Sequence, residues 1–129
     1  MRLLLDTHIL IWAMSTPDRL SPAVREALTA PGNDVLVSAA SAWELSIKHT
    51  LGRIVFPLAE LAELLDRMGL EALPISVAHA VAAGALPRHH NDPFDRILVA
   101  QARLNDLLLV TEDAMIRRYD APIFGQPGP

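Results

Sequence analysis

The sequence predicts an α/β fold: a parallel sheet covered by helices on both faces, an α/β/α arrangement. Two observations predict it. Short apolar runs alternate along the chain with longer, capped segments of helical periodicity, the order expected when strands return to one sheet through helical crossovers. The short runs are also uniformly apolar, as in strands covered on both faces, with none of the alternation of a half-exposed sheet.

Arg2 to Leu5 is the first such run, and it ends at Asp6, an N-cap for the apolar segment Thr7 to Met14. Ser21-Pro22 pairs a cap with a proline at the first helical position, opening a helix to about Thr29 that Pro31-Gly32 stops. Asp34 to Val37 reads as the second strand. In Ala39 to Leu51, Trp43, Ile47 and Leu51 recur at helical spacing before Gly52, which predicts an apolar face carrying Trp43. Leucines at 58, 61, 64 and 65 among charged residues make Pro57 to Met68 an amphipathic helix closed by Gly69. Leu70 to Ile75 is the expected third strand, and Ser76 caps an alanine-rich helix to about Leu86. A polar, histidine-containing loop from Pro87 to Pro93 leads into the helix Phe94 to Leu104 and the fourth strand, Asp106 to Val110. Thr111-Glu112-Asp113 is expected to open a last short helix.

With 129 residues, about half of them apolar and a fifth charged, the chain reads as one domain over 1–124 with a core of its own. Two glycines and two prolines within 125–129 predict a poorly ordered tail. The absence of cysteine excludes disulfides, thiolate metal sites and a cysteine nucleophile. The apolar start is broken by Asp6 and His8, and no stretch approaches the roughly 18 apolar residues of a membrane span. A cytoplasmic protein with no membrane partner is the expectation. The net charge of −4 and the single lysine, Lys48, exclude a nucleic-acid binder that relies on basic electrostatics alone.

The acids carry the functional signal. In an open parallel sheet, ligands bind at the carboxyl ends of the strands where strand order reverses. Asp6 follows the first strand directly, Asp113 lies three residues past the fourth, Asp95 opens a helix entered from a loop, and Glu44 sits one turn into the helix after the second strand. Each has a local explanation as well. Asp6, Asp92, Asp95 and Asp113 are all placed to cap or complement helix N-termini, and Glu44 is spaced to pair with Lys48. Carboxylates that do converge repel one another unless a divalent cation neutralises them, and a hard cation such as Mg²⁺ or Mn²⁺ suits oxygen donors. Such an ion can activate water and offset charge on a phosphodiester.

Four segments extend this pattern. They are Leu3-Leu4-Leu5-Asp6-Thr7-His8, Ser38 to Lys48 with its Trp43-Glu44 pair, His90-Asn91-Asp92-Pro93-Phe94-Asp95-Arg96-Ile97, and Leu109-Val110-Thr111-Glu112-Asp113. In order and spacing they resemble the motifs of PIN-domain nucleases, in particular the VapC type of toxin, across nearly the whole chain. The resemblance implies the family's three-layer α/β/α fold with a central parallel sheet of four or five strands, and a Mg²⁺- or Mn²⁺-dependent endoribonuclease of a toxin–antitoxin pair, with RNA as substrate, a cognate antitoxin lying across the active site, and a homodimer. It implies Asp6, Glu44, Asp95 and Asp113 as the catalytic acids, of which Asp6, Asp95 and Asp113 hold metal. Asp92 is either a helix cap or a supporting ligand. Thr7 and Thr111 either orient a ligating carboxylate or cap locally, and Arg96 faces substrate phosphate or pairs with a carboxylate. His89 and His90 are read as exposed loop residues, and Trp12 and Trp43 as core packing ahead of base stacking.

Two other classes compete. An aspartyl-phosphate phosphoryl-transfer protein would have a second aspartate two residues after Asp6 and a lysine after a late strand, where this chain has His8 and a mid-helix Lys48. A non-catalytic RNA- or protein-binding module on a nuclease fold would be expected to lack one or more of the four acids, and all are present.

Overall fold

A computed structural model describes residues 1–89 and 91–125. Four strands, β1 (Arg2–Leu5), β2 (Asp34–Ser38), β3 (Glu71–Leu73) and β4 (Leu108–Val110), form one sheet in the order β3-β2-β1-β4, every pair parallel. Beyond β4 a single bridge between Leu109 and Ile123 adds the start of a fifth strand. The helices are α1 (Thr7–Ser15), α2 (Pro22–Thr29), α3 (Ala39–Thr50), α4 (Leu61–Arg67), α5 (Val77–Ala85) and α6 (Pro93–Leu104).

Side chains on successive strand residues point to opposite faces, and the core divides accordingly. Leu3, Leu5, Val35, Val37 and Val110 pack with Ile9, Leu10, Val24, Leu45, Leu61 and Leu65 on the face covered by α1 to α4. Leu4, Leu36, Leu73 and Leu109 pack with Leu98, Val99 and Ala102 of α6 and with Ile116 and Tyr119 on the other. Both faces are therefore buried, and this is the physical cause of the uniformly apolar strands.

The helix starts follow the expected capping chemistry. Asp6 caps α1, Ser21 caps α2 ahead of Pro22, Ser38 caps α3, Ser76 and His79 form a reciprocal capping box on α5, and Asp92 caps α6 ahead of Pro93. Several ends differ from the sequence reading. Pro57 offers no side-chain cap, so the expected Pro57 to Met68 helix begins as a 3-10 turn at Leu58–Glu60 and becomes α-helical only at Leu61. Pro74 has no N–H for the ladder, and β3 stops at Leu73. Asp106 takes φ 53 beyond α6, and Leu107 N–H closes back on Ala102 O at 2.9 Å. Asp106 thus fills the left-handed position usually given to glycine, which delays β4 to Leu108. The helix expected after Thr111 reduces to a 3-10 turn at Ile116–Arg118. Of the expected tail, 126–129 lie outside the described residues.

Strand order places the switch point. From β1 the chain moves through β2 to β3 on one side, then returns through α5 and α6 to lay β4 on the other side of β1. The segments leaving β1 and β4 diverge, opening a crevice at their carboxyl ends.

Candidate active site

Asp6 occupies that crevice. Its backbone N–H bonds to Val110 O at 3.0 Å, which holds it against the end of β4. Its Oδ1 accepts the Ile9 N–H at 2.9 Å as the cap of α1, and its Oδ2 accepts the Thr111 hydroxyl. Only 3% of the residue is exposed. Burial pushes its pKa above the ordinary carboxylate value; the hydrogen bonds from Thr111 and Ile9 and the nearby His8 pull it back, and Asp113 raises it further.

Asp113 follows from the same turn. Thr111 Oγ1 accepts the Asp113 N–H at 3.0 Å, Asp113 Oδ1 accepts the Met115 N–H at 2.8 Å, and Arg117 Nη2 holds Thr111 O at 2.9 Å. One threonine hydroxyl thus donates to one acid and accepts from the backbone of the other. Asp6 and Asp113 line a cleft of about 280 Å³ with His8, Ile9, Trp12 and Glu112.

The other two acids lie outside that lining. Glu44 is buried on α3, 7% exposed, with Oε2 3.0 Å from Lys48 Nζ. The local pairing expected from the sequence is present, yet it satisfies one oxygen only, and Oε1 is buried without a hydrogen-bond partner. Asp95 stands in the first turn of α6, its N–H donating to Asp92 Oδ1 at 3.3 Å. Asp92 also accepts from Phe94 N–H at 2.9 Å, so the cap reading of Asp92 matches its contacts. Among the described residues no three acidic or histidine side chains already form an ion cage. The structure brings Asp6 and Asp113 together and leaves Glu44 and Asp95 on the neighbouring packed helices α3 and α6.

Three expectations need correcting. Thr7 bonds neither a carboxylate nor its own helix end, because it faces α3 and donates to the buried Ser41 hydroxyl at 3.0 Å. Arg96 reaches back to α5: its guanidinium donates to Ala83 O and Leu86 O at 2.9 Å and to Pro87 O at 3.0 Å, capping that helix and its exit loop. Trp43 is 62% exposed and packs edge-on against Phe94, ring centroids 5.3 Å apart. The buried face of α3 is Ala40, Ser41, Glu44 and Leu45, and Trp43 lies off it. Trp12 does pack against the core, while also lining the cleft. His89 sets its ring against Tyr119 with centroids 5.1 Å apart, and His90 lies outside the described residues. Ser41 lies within the second motif, where nothing in the sequence assigns it this role as the partner of Thr7.

The donor chemistry fits a hard divalent cation. Asp6 and Asp113 share a cleft with Glu112, Asp6 is held above its ordinary pKa by burial and by the charge of Asp113, and Glu44 on α3 has a buried oxygen with no partner. A cation at the cleft would remove the repulsion between Asp6 and Asp113.

A parallel sheet between two helical layers, with the buried Asp6 and the half-buried Asp113 at its switch point, defines the class: an α/β domain built around an acidic cleft. Residues 3–122 match the family described as PIN domain, and the chain belongs to that family. It is 31% identical over 122 residues, 92% of each chain, to Ribonuclease VapC22 of Mycobacterium tuberculosis. Among solved structures it is similar to VapBC2 from Rickettsia felis bound to a promoter DNA fragment, with TM-score 0.70, 20% identity, and 95% of this chain and 96% of that one covered. It is similar also to FitAcB from Neisseria gonorrhoeae, with TM-score 0.63, 21% identity and 97% of both chains covered. A toxin–antitoxin complex from Klebsiella pneumoniae gives TM-score 0.60 at 23% identity over 86% of both chains. These structures establish the fold.

Proposed function

We propose that the chain is a Mg²⁺- or Mn²⁺-dependent endoribonuclease and the toxin of a toxin–antitoxin pair. The observation that carries the reading is the buried Asp6 carboxylate at the β1–β4 switch point, sharing its cleft with Asp113. Membership of the PIN family and a relative named as a ribonuclease support the activity, and the toxin–antitoxin complex of similar fold supports a protein antitoxin as partner.

Asp6 and Asp113 would hold the ion, with Asp95 completing the set from α6 and Glu44 serving as the fourth catalytic acid from α3. When bound, the ion supplies a lowered pKa for the attacking water and stabilises charge building on the phosphate. Thr111 fixes the direction of the Asp6 carboxylate, as supporting hydrogen bonds do for metal ligands generally. Asp92 shapes the turn that presents Asp95, and Arg96 clamps that turn to α5. The action is placed in the cytoplasm, where RNA is found; no helix among the described residues is long and apolar enough to cross a membrane. A homodimer is part of the same reading.

Incubating purified protein with a total RNA pool tests it. Cleavage in Mn²⁺ that EDTA stops and Mn²⁺ restores is the expected result. Cleavage unaffected by EDTA would overturn the metal-dependent mechanism, and no cleavage by folded, antitoxin-free protein would favour a binding module.

A further inference from the structure

The cleft that holds Asp6 and Asp113 has a second wall of different chemistry. Trp12 lines it, and the guanidinium of Arg19 lies over the indole, 4.5 Å from the ring centroid. His8, one helical turn earlier, also lines the cleft and tilts its ring toward the same indole at 6.3 Å. Core packing accounts for the inner side of Trp12. It does not account for Arg19, which is exposed yet holds its guanidinium over an aromatic ring beside a carboxylate cleft.

Planar groups stack on aromatic rings and on arginine guanidinium planes, and single-stranded RNA offers unpaired bases for this. This chain has particular need of such a contact. Its net charge is −4, so attraction to phosphate contributes little affinity, whereas base stacking works without net positive charge.

The geometry points to a nucleotide subsite at this wall: a base flanking the scissile phosphate stacks on the Arg19–Trp12 layer and holds single-stranded RNA with that phosphate facing Asp6 and Asp113. This rests on the ribonuclease reading above. Stacking tolerates any base, so the subsite positions RNA without dictating its sequence. Arg19 and Trp12 are positioning groups for the nucleotide, and the proton and phosphate chemistry stays with the acids.

The test is a cycle between protein and RNA. A short single-stranded RNA containing one cleavage point is made with an abasic nucleotide at each position in turn, and kcat and KM are measured in Mn²⁺ for the wild type, Trp12→Leu, Trp12→Phe and Arg19→Gln. In the wild type, one abasic position next to the cleavage point is expected to raise KM by roughly tenfold or more with little change in kcat. Trp12→Leu and Arg19→Gln should raise KM on intact RNA and lose sensitivity to that abasic position, while Trp12→Phe keeps most of it. Because Arg19 is exposed, Arg19→Gln gives an answer even where Trp12→Leu fails to fold. An active wild type whose KM is the same at every abasic position overturns the subsite and leaves the nuclease reading standing. An abasic effect that persists unchanged in Arg19→Gln and Trp12→Leu also overturns it. A wild type that cleaves no RNA removes both.

Discussion

The Thr111 hydroxyl at the end of β4 donates to Oδ2 of Asp6 at the end of β1, bridging the two strand ends from which the chain diverges. The same oxygen accepts the Asp113 N–H, so one side chain sets the relation between Asp6 and Asp113. Replacing it with Val, of the same shape, should leave the core packing intact and lower kcat by about 10- to 100-fold, as losing a support to a metal-binding carboxylate does. The Thr111 bond is one of the contacts that lower the Asp6 pKa, so Thr111→Val should raise it further. Carboxyl NMR titration of the metal-free protein checks the direction, and Thr111→Ser should restore both rate and titration.

Asp6 also links stability to pH. The native state keeps its proton to a higher pH than the unfolded chain does, whose carboxylate titrates near 3.8. Between that value and the raised native one, increasing pH destabilises the metal-free fold, and above this window the full cost of the buried charge persists. Asp6→Asn removes this contribution. Its metal-free Tm at neutral pH should therefore exceed that of the wild type, and the difference should vanish below pH 3.8. Thermal melts across pH, both proteins in EDTA, give the comparison.

Glu44 and Lys48 separate a structural from a chemical role. Lys48→Met removes the partner of a nearly buried carboxylate, leaving both its oxygens unsatisfied, and should destabilise the fold by about 2 kcal/mol. Glu44→Gln keeps the shape and removes the charge, and should cut cleavage by at least about 10-fold while shifting Tm less than Lys48→Met does. Urea unfolding alongside RNA cleavage rates distinguishes the two.

Arg96 joins α6 to the end of α5 through several carbonyls. Arg96→Ala should cost about 2 to 3 kcal/mol, the range for hydrogen bonds from a charged group. Arg96→Lys should recover only part, because a point charge cannot reproduce the forked donation. Hydrogen exchange should show loosened protection at the first turn of α6 in both variants.

The sequence carried the framework well because its signals were local. Apolar runs buried on both faces, Ser and Asp caps, and prolines at first helical positions placed the strands and helices to within a few residues, and the exit from β1 marked Asp6. What it missed depended on tertiary packing. Periodicity puts Trp43 with Ile47 and Leu51 on an inward face, but the folded helix buries Ala40, Ser41, Glu44 and Leu45 and leaves Trp43 and Leu51 exposed, with Ile47 half-buried. Arg96, beside Asp95, reads equally as a phosphate ligand or as the partner of a carboxylate, and only the folded position of the α5 carbonyls shows where these donors go. Neither spacing nor composition hints that Arg19 folds back over Trp12.

The most direct measurement of the central claim is the rate of RNA cleavage by Asp6→Asn beside the wild type, in Mn²⁺, at matched folded concentration. Asparagine can still accept the Ile9 N–H through Oδ1 and can donate its Nδ2 to the Thr111 hydroxyl, so it removes the charge and one acceptor at nearly unchanged shape. The account predicts that cleavage falls by at least about 100-fold with the fold intact, the scale of removing a group that acts on the reacting centre. Cleavage by Asp6→Asn at the wild-type rate would contradict it, and the acids at the β1–β4 switch point would then be helix caps and nothing more.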